Sequence, residues 1–190
     1  MPRHHPAIPR FWLMTDERMG DALWTALARL PRGAGVVFRH YSLPYAARRA
    51  LFEAVTQVAR RRGLIVIRAG KEPFRGEHGA HNQGARRHRG IKTCAAHNAA
   101  NVAAATRQRA DAIFISPVFP SRSHPDTRSL GTIRAARLAR GAKGRAIALG
   151  GMNARRYAMV RAGGFIGYAA IDAWATPQAR ATQKRSAVPT

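Results

Sequence analysis

Residues 112–123 read AIFISPVFPSRS, and they join a short apolar run to a rigid loop rich in hydroxyl groups. The β-branched and aromatic side chains of residues 113–115 favour a buried strand. Two prolines then restrict the backbone, and three serines supply small polar groups. Loops of this kind at the ends of successive strands are typical of α/β proteins that bind anions. The stretch therefore predicts one strand–loop unit of such a protein.

The same alternation of strand and helix runs through the rest of the chain. Strands are predicted at residues 11–15, 35–39, 64–67, 79–82, 91–95, 112–116, 146–149 and 165–169. Helices are predicted at residues 21–30, 44–62, 98–108, 132–139 and 153–162. Eight such units predict a compact α/β protein, a (β/α)8 TIM barrel; the alternative is an open doubly wound sheet. Because glycine and proline interrupt residues 69–90, we expect stunted helices there.

A single domain accounts for the length and composition. The chain has 190 residues, of which 46% are hydrophobic, enough for one core. We expect the barrel at residues 10–175, after an N-terminal extension at 1–9 and before a disordered basic tail at 176–190. There is neither an apolar run near the length of a membrane span nor the apolar region of a signal peptide. Together with a lone cysteine, Cys94, this predicts a cytoplasmic protein without a membrane partner.

The chain is strongly basic, with a formal net charge of +24 from 33 Lys and Arg against 9 Asp and Glu. Such a charge predicts non-specific binding of polyanions, nucleic acid included. The arginines are, however, scattered through every predicted helix instead of lying among aromatic residues on one face. This distribution favours solvated helix faces over a dedicated nucleic-acid site.

Seven short motifs follow one another at the predicted strand ends. They are FWLMTD (11–16), GAGVVFRHY (33–41), GAHNQG (79–84), TCAAHN (93–98), ADAIFISPVFPSRSH (110–124), ALGGMN (148–153) and GGFIGYAAIDAW (163–174). With these motifs in this order, the chain resembles the thiamine phosphate synthase and thiazole tautomerase superfamily, a group of compact TIM barrels. The resemblance implies an enzyme of thiamine biosynthesis or salvage that joins a pyrimidine methyl diphosphate to a thiazole phosphate and releases diphosphate.

The resemblance also implies what the site must contain. Magnesium held by carboxylates neutralises the diphosphate, and positive side chains and hydroxyl groups hold it. Backbone amides at the last two strand ends hold the thiazole phosphate. The phosphorylated thiazole and pyrimidine are thus the small-molecule partners that we expect, whereas the sequence indicates no oligomeric state.

Carried over residue by residue, the resemblance assigns phosphate or substrate binding to eight positions. These are Arg39, Arg68, Ser121, Ser123, Gly150, Gly151, Ala169 and Ala170. It puts His97 and His124 near the mouth of the barrel, where either can shuttle a proton near neutral pH. The other histidines, His40, His78 and His81, are expected in loops or on the surface.

Several positions depart from the family's pattern. The family's metal-binding aspartates correspond to Ala69 and to a position near residue 85 or 86, and no Asp or Glu occurs between Glu77 and Asp111. We therefore predict no metal ligands and no cofactor. A lysine of the family is replaced by Tyr41, and a serine by Asp172. Three functions stay open: the synthase reaction, a metal-free tautomerisation of thiazole phosphate, and a non-catalytic role in binding phosphorylated ligands or nucleic acid.

Overall fold

Eight parallel strands close into a barrel in the order in which they occur along the chain. A computed structural model describes residues 7–84, 90–121 and 127–175. The strands are β1 Phe11–Met14, β2 Gly35–Phe38, β3 Ile65–Ala69, β4 Gly79–His81, β5 Ile91–Ala96, β6 Ala112–Ile115, β7 Ala146–Ala148 and β8 Phe165–Ala170. Since β8 pairs with both β7 and β1, the sheet has no open edge. The predicted (β/α)8 barrel is confirmed, and the alternative of an open sheet is wrong.

Helices pack around the outside of the barrel. They are α1 Ala22–Arg29, α2 Tyr45–Arg62, α3 Ala99–Arg107, α4 Gly131–Gly141, α5 Ala154–Val160 and α6 Asp172–Ala175. Asparagine side chains cap two of them: Asn98 accepts from the amide of Asn101 (2.9 Å) before α3, and Asn153 accepts from that of Arg156 (2.8 Å) before α5. These caps satisfy amides that have no partner within the helix, so each chain segment turns directly from its loop into the helix.

The connection between β3 and β4 is shorter than in a regular (β/α)8 barrel, because it lacks a helix. Residues 70–78 form turns and bends without a helix, as the sequence predicts. Gly70 and Gly76 have φ angles of +95° and +86°, and Pro73 lies between them. These conformations are incompatible with a helix, so the strand ends here are left uncovered.

The barrel interior is filled by apolar side chains, several of them large, from alternate positions of the strands. The interior cluster comprises Trp12, Met14, Val37, Ile67, Ala69, Ile91, Ala112, Phe114, Ile147 and Ala169. The Trp12 ring occupies the space that a side chain on Gly35 would need, since a Cβ there would lie 2.1 Å from its Cε3 atom. The intervening residues of each strand pack against the helices. This alternation decides which side chains reach the mouth of the barrel.

The last helix closes the seam between the two ends of the chain. The indole Nε1 of Trp174 donates to the carbonyl oxygen of Trp12 (2.9 Å), and the Trp174 ring stacks on Tyr168. Arg29 of α1 donates to the carbonyl oxygen of Ala175 (3.2 Å). The final turn of the barrel is therefore bound to the first strand and the first helix.

No helix in the described part of the chain has the length and apolar character needed to cross a bilayer. The predicted extension and basic tail fall mainly outside the described residues, so their boundaries stay predictions.

Candidate functional site at the C-terminal end of the barrel

A cavity of about 500 Å3 lies over the C-terminal ends of β2, β3 and β4. Its lining residues are Tyr41, Gly70, Lys71, His81, Asn82 and Gln83. The lining includes one ammonium group but no carboxylate. Active sites of (β/α)8 barrels lie at this end, because the loops after the strands converge there.

Arg39 continues the inward-facing row of β2 beyond Val37. Its Nε donates to the carbonyl oxygen of Thr15 (2.8 Å), and its Nη2 lies 3.1 Å from Oδ2 of Asp16. Burial lowers the pKa of the Arg39 guanidinium, while the Asp16 carboxylate acts against this shift. Arg18 binds the same carboxylate, with its Nε 2.7 Å from Oδ1. Two cations thus share one anion, so this cluster carries a net positive charge beside the cavity.

The Asp16 carboxylate is held firmly in its charged form. Hydrogen bonds from Arg18 lower the pKa of Asp16 to about 2, against the opposing effect of burial. The nearby Asp172 is exposed and lies close enough to raise the pKa of Arg18. The negative charge that the sequence places after β8 is therefore partly offset by Arg18.

Arg68 does not reach the cavity. It lies within β3 on the same outward-facing row as Val66, and its side chain is only 5% exposed. Its Nε lies 2.7 Å from Oε2 of Glu77, and it also donates to the carbonyl oxygen of Gly70. The prediction of a phosphate contact for Arg68 is corrected accordingly: the guanidinium is a buried structural cation paired with a carboxylate.

Two histidines expected in loops or on the surface are buried: His40 does lie in the loop after β2, whereas His81 lies in β4, so the expectation is wrong for His81. His40 stacks on Phe38, and its Nδ1 lies 3.1 Å from the hydroxyl of Thr15. His81 is 4% exposed, and its Nδ1 lies 2.9 Å from the hydroxyl of Thr93. Burial lowers the pKa of His81 to about 3, with a further contribution from Arg39. His81 is therefore a neutral imidazole at the floor of the cavity.

His97 lies at the end of β5, as predicted, and is exposed. Its Nδ1 is 2.8 Å from the carbonyl oxygen of Ser116, at the start of the loop after β6. A carbonyl oxygen only accepts hydrogen bonds, so Nδ1 carries a proton, and in the neutral ring the lone pair lies on Nε2. The backbone amide of His97 donates to Oδ1 of Asn101 (3.1 Å), which fixes the turn into α3. The other predicted proton carrier, His124, lies outside the described residues.

The loops after β6 and β7 fit together through their backbones. Gly150 and Gly151 have φ angles of +92° and +59°. A Cβ on Gly150 would lie 2.7 Å from Cα of Pro117, and one on Gly151 would lie 2.4 Å from the carbonyl oxygen of Pro120. Only glycine fits at either position. Within the described part of the chain, neither glycine amide donates a backbone hydrogen bond.

The remaining predicted binding residues contribute little side-chain chemistry. Ala169 and Ala170 are buried at the end of β8, so only their backbone groups are polar. Ser121 is half-buried after Pro120, and Ser123 lies outside the described residues. The structure therefore brings Arg39, His97 and the two glycines to the mouth and leaves Arg68 outside it.

Lys71 is a cavity residue that the sequence analysis did not select. It follows Gly70 directly after β3 and supplies the cation that Tyr41 does not. The only feature of the sequence that points to Lys71 is its position two residues beyond a strand. Many surface lysines have a similar position.

The donor set at these strand ends does not fit magnesium. The described residues contain no cluster of three His, Cys, Asp or Glu side chains that could hold a metal ion. Of the two positions expected for metal-binding aspartates, Ala69 ends β3 without a carboxylate, and residues 85 and 86 lie outside the described residues. Mg2+ requires oxygen ligands, carboxylates above all, and an ammonium group beside the site repels it.

Comparison with known proteins agrees with this architecture. A family model described as thiamine monophosphate synthase matches residues 77–174. No curated protein matches the chain. Thiamine phosphate pyrophosphorylase from Pyrococcus furiosus is a similar solved structure, with 18% identity, a TM-score of 0.71 and coverage of 86% of this chain and 85% of that chain.

Two further solved structures share the fold. The thiamine phosphate pyrophosphorylase from Bacteroides thetaiotaomicron has 21% identity and a TM-score of 0.55, over 92% of this chain and 89% of its own. A structure described as native KDPGal has 12% identity and a TM-score of 0.59, over 90% of this chain and 86% of its own. At these identities the solved structures establish the fold alone.

Proposed function

This chain belongs to the thiamine monophosphate synthase family, and on that premise we propose that it binds phosphorylated thiazole or pyrimidine compounds at the C-terminal end of its barrel without magnesium. The observation that carries the proposal is the lining of the cavity at the ends of β2, β3 and β4, which contains Lys71 and neutral residues but no carboxylate. Guanidinium, ammonium and backbone amide groups bind phosphate oxygens directly, without a bridging metal.

Two places at the mouth support phosphate binding. On one side, Lys71 lines the cavity and Arg39 lies beside it. On the other side, the amides of Gly150 and Gly151 donate no backbone hydrogen bond within the described residues. A ligand with a phosphate and a heteroaromatic ring fits such an arrangement, because the apolar interior of the barrel lies between the two.

The coupling of pyrimidine diphosphate with thiazole phosphate is not the reaction that this site favours. A departing diphosphate carries several negative charges, which the family offsets with magnesium as well as with cations. Here Arg39 is already paired with Asp16, and no carboxylate lines the cavity. We propose instead that the protein binds its ligand without cleaving a diphosphate.

A second candidate is the metal-free tautomerisation of a thiazole phosphate, which the orientation of His97 favours. Its Nε2 bears a lone pair at the mouth, so it can remove a proton from a bound ligand and return it to another atom. The isomerisation consumes no co-reactant. The lone cysteine and the phosphorylated ligands support a cytoplasmic location for either function.

Calorimetric titration with thiazole phosphate and with inorganic diphosphate tests the proposal. We expect binding of both probes in excess EDTA, with affinities unchanged by added magnesium. Lys71→Met should weaken binding of diphosphate about tenfold, because one charge-assisted contact is lost. Lys143→Met is the matched control, since this exposed lysine lies in the turn before β7, at the opposite end of the barrel.

Other outcomes of these experiments would refute the proposal or select the second candidate. Binding that requires magnesium, or formation of thiamine phosphate from both synthase substrates, would refute the metal-free proposal. Absence of thiazole phosphate binding under any condition would refute the proposed ligand. Conversion of the thiazole tautomer by the wild type but not by His97→Gln, with binding retained, would select the second candidate.

A further inference from the structure

The imidazole of His81 is held on two sides at the floor of the cavity. Its Nδ1 faces the Thr93 hydroxyl at 2.9 Å, and its ring makes an edge-to-face contact with Phe114, with the centroids 5.4 Å apart. The third side lines the cavity. Since Nδ1 faces Thr93, the nitrogen left for the cavity-lining side of the ring is Nε2, which has no hydrogen-bond partner among the described residues.

The Thr93 hydroxyl determines which nitrogen carries the proton. The Thr93 side chain is fully buried, and its only partner within the described residues is Nδ1 of His81. A buried hydroxyl that fails to donate its proton costs roughly 1–3 kcal/mol. The hydroxyl thus donates to Nδ1, which accepts through its lone pair, and the ring proton lies on Nε2.

The surroundings keep this imidazole neutral. Phe114 and the apolar interior cluster lie on its inner side, and Arg39 is the cation that acts on it. No carboxylate lines the cavity to stabilise an imidazolium. The floor of the cavity therefore offers one uncharged N–H donor, whereas the charged group, Lys71, is exposed at the rim.

We propose that His81 is a specificity-determining residue, whose Nε2–H donates a hydrogen bond to an unprotonated ring nitrogen of a heteroaromatic ligand. Thr93 is a positioning residue that fixes the tautomer. The apolar floor favours the ring of such a ligand, because a phosphate there would lose its hydration, and the phosphate is then directed to the cationic rim. The identity of the ligand rests on the proposed function, whereas the tautomer does not.

Nitrogen-15 NMR of the ligand-free protein tests the tautomer by itself. The His81 signals are assigned by comparison with His81→Gln. We expect an unprotonated Nδ1 and a protonated Nε2 that do not change between about pH 8 and pH 5, across the ordinary range for histidine. Thr93→Val should remove the preference for this tautomer, and Thr93→Ser should retain it. A proton on Nδ1 in the wild type, or an imidazolium at about pH 6, would overturn the proposal.

Calorimetry then tests the specificity. His81→Phe should weaken binding of thiazole phosphate about tenfold while leaving the affinity for inorganic diphosphate unchanged. His81→Gln should retain most of the affinity, because its amide N–H lies near the position of Nε2. An equal loss for both probes would mean that His81 contacts phosphate, which refutes the inference. If the wild type binds neither probe, the proposed function fails and the NMR result still decides the tautomer.

Discussion

In the first half of the barrel charged side chains pair with one another, whereas in the second half two loops are joined through their backbones. The five ion pairs found among the described residues all lie between Asp16 and Glu77. In the second half, the amides of Val118 and Phe119 donate to the carbonyl oxygens of Leu149 and Gly150, at 2.9 and 3.1 Å. The family model matches residues 77–174, which is almost entirely the second half.

The difference shows which features of a site tolerate sequence change. A loop contact made by two backbones leaves no room for a side chain, so its glycines cannot be exchanged. An ion pair or a cavity lining made by side chains can be replaced whenever another group supplies similar charge. The cavity over β2, β3 and β4 is lined by such side chains, whereas the contact between the loops after β6 and β7 depends on the two glycines.

The largest effect should come from breaking the buried ion pair of the first half. Glu77→Ala leaves the Arg68 guanidinium buried without its carboxylate, which should lower the free energy of unfolding by about 4 kcal/mol. Urea denaturation measures the loss. Glu72→Ala is the control, since this exposed partner of Arg48 should contribute about 0.5 kcal/mol or less. Similar losses in both variants would contradict the importance of burial.

A smaller loss is expected where the two loops of the second half meet. Gly151→Ala adds a Cβ against the carbonyl oxygen of Pro120 at a positive φ angle, which should cost about 3 kcal/mol. Gly144→Ala is the control: its φ of +75° is similar, but nothing lies within 4 Å of its Cβ, so about 1 kcal/mol is expected. The difference should not depend on salt. If the difference between the two variants depended on salt, charge interactions would contribute to the loop contact. That result would contradict the contrast between the two halves.

The smallest of these effects concerns Asp16 and depends on pH. Since its pKa falls from 3.8 to about 2 on folding, the charged carboxylate stabilises the fold above pH 3.8, and the contribution is lost as the pH falls toward 2. Asp16→Asn should therefore lose about 2 kcal/mol at neutral pH and almost nothing at the acid limit. Urea denaturation over this pH range measures it, with the exposed Asp21→Asn as control. A loss that is independent of pH would contradict this origin.

The fold was predictable because its pattern is local. Each strand and each of the first five helices can be predicted from the pattern of apolar residues within its own segment. Even β4, which has three residues, falls within a predicted strand. The helix α6 was missed because four residues are too few to display a helical period. The closure of the sheet into a barrel was predicted from the number of strand–helix units.

The site was less predictable because it depends on contacts between distant strands. Arg68 was expected beyond a strand ending at residue 67, but β3 continues to Ala69, so the side chain lies on the outer row. The burial of His81 depends on Thr93 and Phe114, which come from two other strands. Arg39 and the glycines were found because the motifs that contain them lie directly at strand ends.

The attachment of the last strand to the first also affects how the chain is made on the ribosome. β1 emerges early, but its partner on one side is β8, and the Trp174 ring that covers the seam comes still later. Throughout translation the nascent chain exposes the edge of β1, and the edge of the newest strand, to other chains. Completion of the ring therefore waits for β8 and Trp174, and only then are both of these edges paired.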